Sequence, residues 1–122
     1  MQVSKQKLNK NIEKQIYTIF YQLMVDLKTI DETEKLMKDL LSTTEREVIA
    51  KRVAIAIFLD KGRSYENIKN TLKVSSATIA SVHENMGNPG MQLALQKIKA
   101  EEWADQWAGK ISSIVGKIIP GK

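Results

Sequence analysis

Apolar residues fall at Leu8, Ile12, Ile16, Ile19, Leu23 and Leu27, gaps of three and four that draw one stripe along a helix over residues 5–28. A second set, Tyr17, Phe20, Tyr21, Met24 and Val25, widens the apolar surface around the middle of the same segment. A helix that is apolar on more than one side needs more than one neighbour. In a chain of 122 residues the natural source of that neighbour is a second copy. Only two prolines and six glycines interrupt the chain, which favours long helices over a sheet sandwich and sets the expectation of an all-α fold of about six helices, completed as a homodimer.

The rest of the chain continues in the same style. Asp31 followed by Glu34 predicts a capped helix start, with Leu36, Met37, Leu40 and Leu41 on the buried side. The stretch Ser42-Thr43-Thr44-Glu45-Arg46-Glu47 opens another helix, capped by Thr43 or Thr44, with carboxylates near the positive end of its dipole. Residues 48–59 are almost continuously apolar around Lys51 and Arg52 and are expected to form a central buried helix, ended by Gly62 as a left-handed cap. Residues 87–90, Gly-Asn-Pro-Gly, read as the clearest loop. A helical pattern with Met91, Leu95 and Ile98 follows, and residues 100–122 form an amphipathic extension around Trp103, Trp107, Ile111 and Ile114. One domain over residues 1–122 is expected.

Residues 62–86 have the organisation of a helix-turn-helix. Ser64 starts a helix whose Ile68 and Leu72 point inward, Val74 plugs a three-residue turn, and Ser75 caps a second helix buried through Ile79 and Val82. Ser76, Ala77, Thr78, Ala80 and Ser81 are then left mainly outward, a face of small side chains that lets a helix approach base edges in a major groove. No lysine or arginine lies between Ser75 and Met86, so phosphate contacts fall to Arg63, Lys69 and Lys73, with Lys51 and Arg52 at the margin. A formal net charge of +5 suits a polyanionic partner. The competing expectation is a helical protein-interaction module whose helix pair only packs and binds no DNA.

The segment LLSTTEREVIAKR at residues 40–52, followed by the capped helix pair, resembles the tryptophan repressor family, and most of all its branch of small bacterial Trp-repressor-like proteins. The resemblance spans about residues 34–85. It implies an intertwined all-α dimer that binds double-stranded DNA and regulates transcription, as a repressor in particular. Glu45, Arg46 and Glu47 match the family's acidic-Arg-acidic helix start, Lys69 lies where the family has a DNA-contacting lysine, and Ser76, Ala77 and Ala80 lie at base-facing positions. Ser42, Arg52, Thr78 and Ser81 mark the place of an effector pocket. Arg52 matches one of two arginines that sandwich the indole of the tryptophan corepressor. Ser81 stands where the second arginine belongs, and Val82 where the family has glycine, so no cofactor is expected and tryptophan in particular is not. The opening Thr-Glu-Arg-Glu-Val-Ile also resembles DNA-binding regions of sigma factors and response regulators, which sit in longer chains.

Enzymatic chemistry finds no support. There is no cysteine, His83 is the lone histidine, and no nucleophile–base pair, phosphate loop or metal constellation is visible. No segment approaches the roughly 18 apolar residues of a membrane span. The N-terminal lysines lack an apolar stretch behind them, so no secretory signal is expected, and the expected location is the cytoplasm.

Overall fold

A computed structural model describes residues 5–100, 106 and 109–111. Among them the chain is built of six helices, α1 (Lys10–Asp26), α2 (Ile30–Leu40), α3 (Thr43–Asp60), α4 (Tyr65–Leu72), α5 (Ser76–Asn85) and α6 (Pro89–Lys99). It divides into two units, Met1–Arg46 and Glu47–Lys122. No helix among the described residues is long and apolar enough to cross a membrane. Of the C-terminal seam, Trp103, Trp107 and Ile114 lie outside the described residues.

In the first unit α1 starts at Lys10, five residues later than the apolar stripe suggested, because the Asn9 side chain accepts hydrogen bonds from the Asn11 and Ile12 N–H groups. The cap satisfies donors that the first turn leaves unpaired. The stripe forms as expected, yet α1 buries none of its residues. Ile12, Ile16 and Ile19 remain 50%, 49% and 69% exposed, and the Tyr17 and Tyr21 rings stack at 5.9 Å on the same helix.

The cap of α2 is Thr29, not Asp31. The Thr29 hydroxyl accepts from the Glu32 N–H at 3.1 Å, and the Glu32 carboxylate accepts from the Lys28 N–H at 2.9 Å. Asp31 and Glu34 instead sit inside the helix and pair with Lys35 and Lys38 one turn on. Exposed pairs of this kind are worth about 0.3–0.5 kcal/mol each. Leu36, Met37 and Leu41 are half-buried, while Leu40 is exposed.

At the head of α3 the cap is Ser42 rather than either threonine. Its hydroxyl accepts from the Glu45 N–H at 3.1 Å and its own N–H donates to the Glu45 carboxylate at 2.8 Å, a reciprocal capping box. These two groups, the Ser42 N–H first and its hydroxyl second, hold the exposed Glu45 carboxyl below the usual carboxylate range.

The second unit carries the core. Ile55, Ala56 and Phe58 of α3 pack with Ile68, Ile79, Val82 and Leu95, and Leu59, Leu72, Val74, Met86, Met91 and Ile111 pack against this cluster. Burying a side chain such as Phe58 or Ile79 fully is worth about 1.5–3 kcal/mol. The apolar run of α3 is therefore only partly a buried helix. Its four buried residues are Ile55–Phe58, whereas Val48, Ile49 and Val53 are exposed, since nothing among the described residues covers that half. The helix ends at Gly62, whose φ of 77° allows the Gly62 and Arg63 N–H groups to turn back onto the Leu59 and Phe58 carbonyls. The loop before α6 is shorter than its Gly-Asn-Pro-Gly composition suggested, because Pro89 opens the helix, where a missing N–H costs nothing.

Candidate nucleic-acid interface

The helix pair predicted over residues 62–86 is present as α4 and α5. Each helix starts on a serine. Ser64 accepts from the Asn67 N–H and Ser75 from the Thr78 N–H, both at 3.1 Å. Between them Lys73 occupies the left-handed region at φ 56°, ψ 56°, and its N–H closes α4 onto the Lys69 carbonyl. That conformation reverses the chain in three residues, Lys73, Val74 and Ser75, and tucks Val74 against the core. Ile68 and Ile79, both fully buried, lock the two helices together from the inside, with Val82 and the half-buried Leu72 beside them.

The outer face follows from this packing. Ser75, Ser76, Ala77, Ala80 and Ser81 are exposed. Thr78 departs from the expectation in part: it is half-buried, and its hydroxyl lies 2.9 Å from that of Ser75, so it serves the helix start more than the open face. Lys69 and Lys73 are exposed and free of carboxylate partners, and Arg63 is half-buried. Lys51 is less free than the sequence suggested. Its ammonium lies 3.3 Å from the Glu47 carboxylate and donates to the Lys73 carbonyl at 3.4 Å, so it props the turn from α3.

A second brace was not foreseen. The Tyr65 hydroxyl and the His83 Nδ1 are 2.7 Å apart, tying the first residue of α4 to the last turn of α5. Their rings meet edge to face at 5.9 Å. Eighteen residues separate the two, and no local spacing signals the contact. The lone histidine is thus a cross-tie within the helix pair. Among the described residues no group of three or more His, Cys, Asp or Glu side chains could hold a metal ion.

Comparison with known proteins places this geometry. Residues 15–99, spanning α1 to α6, match the family model described as Trp repressor protein. The chain belongs to the Trp repressor family. The family is one of helical DNA-binding regulators rather than enzymes, and its all-α character agrees with the six helices. The chain is also 31% identical over 81 residues to "Uncharacterized protein YerC" of Bacillus subtilis (strain 168), an alignment covering 65% of this chain and 78% of that protein. No solved structure matches the chain.

Membership in the Trp repressor family raises the question of its corepressor, and the structure answers against indole. Arg52 and Ser81 line one cleft with Val82, Asn85 and Met91. A ring sandwich needs cations on two faces, and Ser81 supplies only a hydroxyl. Val82 is 7% exposed and belongs to the core cluster, so the space a glycine would leave is filled by its side chain. The residues present do not fit tryptophan. Of the other residues expected around an effector, Ser42 is occupied as the cap of α3, and Thr78 is bonded to Ser75.

Proposed function

We propose that this protein is a DNA-binding transcriptional regulator, a repressor in particular, that acts in the cytoplasm as a homodimer through its helix-turn-helix. One observation carries the reading: α5 is capped, fixed from within by Ile79 and Val82, and leaves Ser76, Ala77, Ala80 and Ser81 exposed on its outer side. Short side chains there let the backbone of α5 come close to base edges. Lys69 and Lys73, on α4 and its turn, supply ammonium groups that neutralise phosphates, with Arg63 beside them. Direct base contact falls to the small face of α5, and positioning to these cations.

The homodimer is supported by apolar surface. Leu8, Ile12, Ile16, Ile19 and Val25 of the first unit and Val48, Ile49 and Val53 of α3 are all exposed in the single chain. Soluble monomers rarely leave so much apolar surface open. A second copy supplies the missing cover, and with it a single helical domain shared between two chains.

The test is retardation of genomic duplex fragments by purified protein, with light scattering on the same sample. The reading expects retardation that falls steeply as salt rises and a mass of two chains. Dimeric protein that retards no duplex at low salt would instead be a protein-interaction module, and a monomeric mass at micromolar concentration would remove the dimer. Repression is checked by adding the protein to transcription from a retarded promoter, where the transcript should fall.

A further inference from the structure

The Tyr65–His83 tie leaves one polar atom unspent. The Tyr65 hydroxyl and the His83 Nδ1 are 2.7 Å apart. A phenol is the better donor of the two groups and an unprotonated ring nitrogen the better acceptor, so the hydroxyl donates and Nδ1 accepts. The neutral ring then carries its proton on Nε2, because the hydrogen bond made by one nitrogen sets the state of the other. His83 is exposed, and Nε2 has no acceptor among the described residues. Tyr65 thus holds an imidazole whose remaining N–H is open to a partner.

Helical spacing sets where that donor lies. His83 follows Ala80 by three residues and Ser76 by seven, so the three share one side of α5, and all are exposed. On α4, Lys69 follows Tyr65 by four residues and shares its side. The tie therefore joins the small-residue side of α5 to the lysine side of α4. A recognition helix in the major groove meets base edges with its N-terminal residues, and its last turn comes to the groove wall, where the phosphates are. His83 belongs to the last turn of α5.

We propose that the His83 Nε2–H donates to a DNA phosphate oxygen, and that Tyr65 is the positioning residue that fixes its tautomer and aim. The contact rests on the DNA-binding reading. Unlike the lysine contacts it uses a neutral donor, so it adds affinity without displacing a counterion.

The test uses untagged full-length protein at about pH 8, where imidazole is ordinarily neutral. Since His83 is the lone histidine, its ring nitrogens give a single set of long-range proton–nitrogen NMR signals. The protein alone should show the Nε2–H tautomer, Tyr65→Phe should raise the share of the other tautomer, and duplex DNA should shift the Nε2 signal. Retardation at four salt levels reads the contact. His83→Phe, which keeps a ring against Tyr65, should weaken binding about tenfold or more, the scale of a hydrogen bond to a charged group. Its salt slope should stay that of the wild type, and the loss should be equal on unrelated duplexes. His83→Gln, which retains an N–H donor at similar reach, should recover most of the loss, and Tyr65→Phe should lose less than His83→Phe. A tie that only packs would lower Tm and leave His83→Gln as weak on DNA as His83→Phe. That result, wild-type affinity in His83→Phe, or an Nδ1–H tautomer in the protein alone would each overturn the contact and leave the regulator standing. Wild-type protein that retards no duplex would condemn the regulator, and the contact with it.

Discussion

Lys73 is asked to do two things at once, and substitution separates them. Its backbone sits in the left-handed region, which costs a residue with a Cβ about 1–2 kcal/mol. Its exposed side chain is proposed to neutralise a phosphate. Lys73→Gly removes the steric cost but adds about 0.4–1 kcal/mol of chain entropy to the unfolded state. The balance is a stabilisation of about 0.5–1 kcal/mol, or roughly 2–4 °C in Tm for a chain of this size. Lys73→Ala keeps the strain and leaves the Lys51 contact, which goes to the carbonyl, untouched; its Tm should barely move. On DNA the two variants should behave alike. Each neutralised phosphate contributes about 0.9 to the slope of log affinity against log salt, so a dimer loses about 1.8. Between 50 and 200 mM salt the wild type should therefore lose about 12-fold more affinity than either variant. Thermal melts at fixed protein concentration and retardation at four salt levels read both effects. A lower Tm for the glycine variant would refute the strained turn, and identical salt slopes in all three proteins would refute the phosphate contact.

Ser75→Ala removes the acceptor for the Thr78 N–H and should cost about 1 kcal/mol in urea unfolding, with DNA affinity falling alongside because α5 begins there. Ile79→Ala empties a fully buried site between α4 and α5 and should cost about 2–5 kcal/mol; a loss under 1 kcal/mol would mean the helix pair is not locked from within. The capping box makes stability pH-dependent. Since folding lowers the Glu45 pKa, its contribution is complete above the unfolded-chain value and disappears as pH falls through the lower folded value. Glu45→Gln should flatten urea midpoints across that acidic window, and an unchanged slope there would show that the box contributes nothing. Lys69→Ala should weaken binding equally on all duplexes, while Ala77 and Ala80 substitutions should change which sequences are preferred.

How much of this was legible beforehand depends on how local each feature is. The two serine caps, the inward pairs Ile68–Leu72 and Ile79–Val82, and the glycine ending α3 were readable because each is decided within four residues. Cap identity elsewhere was not. Thr29, Asp31, Ser42, Thr43 and Thr44 are all capable acceptors, and the choice fell to the one whose following glutamate could reach back to an N–H. Apolar character also overstated burial. Val48 and Ile49 are as apolar as Ile55 and Ile57, yet only the latter are buried. The Tyr65–His83 tie was invisible because it depends on how α4 crosses α5, which no spacing along one helix encodes.

The core and the exposed apolar surface divide the chain by role. Every member of the buried cluster belongs to the second unit, which also carries the helix-turn-helix, so the proposed reading face is held by a single chain's own packing. The first unit has the opposite character: α1 and α2 bury no residue, and their order is underwritten by caps and exposed ion pairs worth tenths of a kcal/mol. Helices of 17 and 11 residues are marginal on such terms in water. They need an apolar partner, and on the proposed dimer that partner is the other chain. Assembly would then stabilise α1 and α2 by mass action while leaving the α4–α5 geometry as it is. The protein would lose its grip on DNA on dilution by falling into halves, each with an intact but solitary reading head.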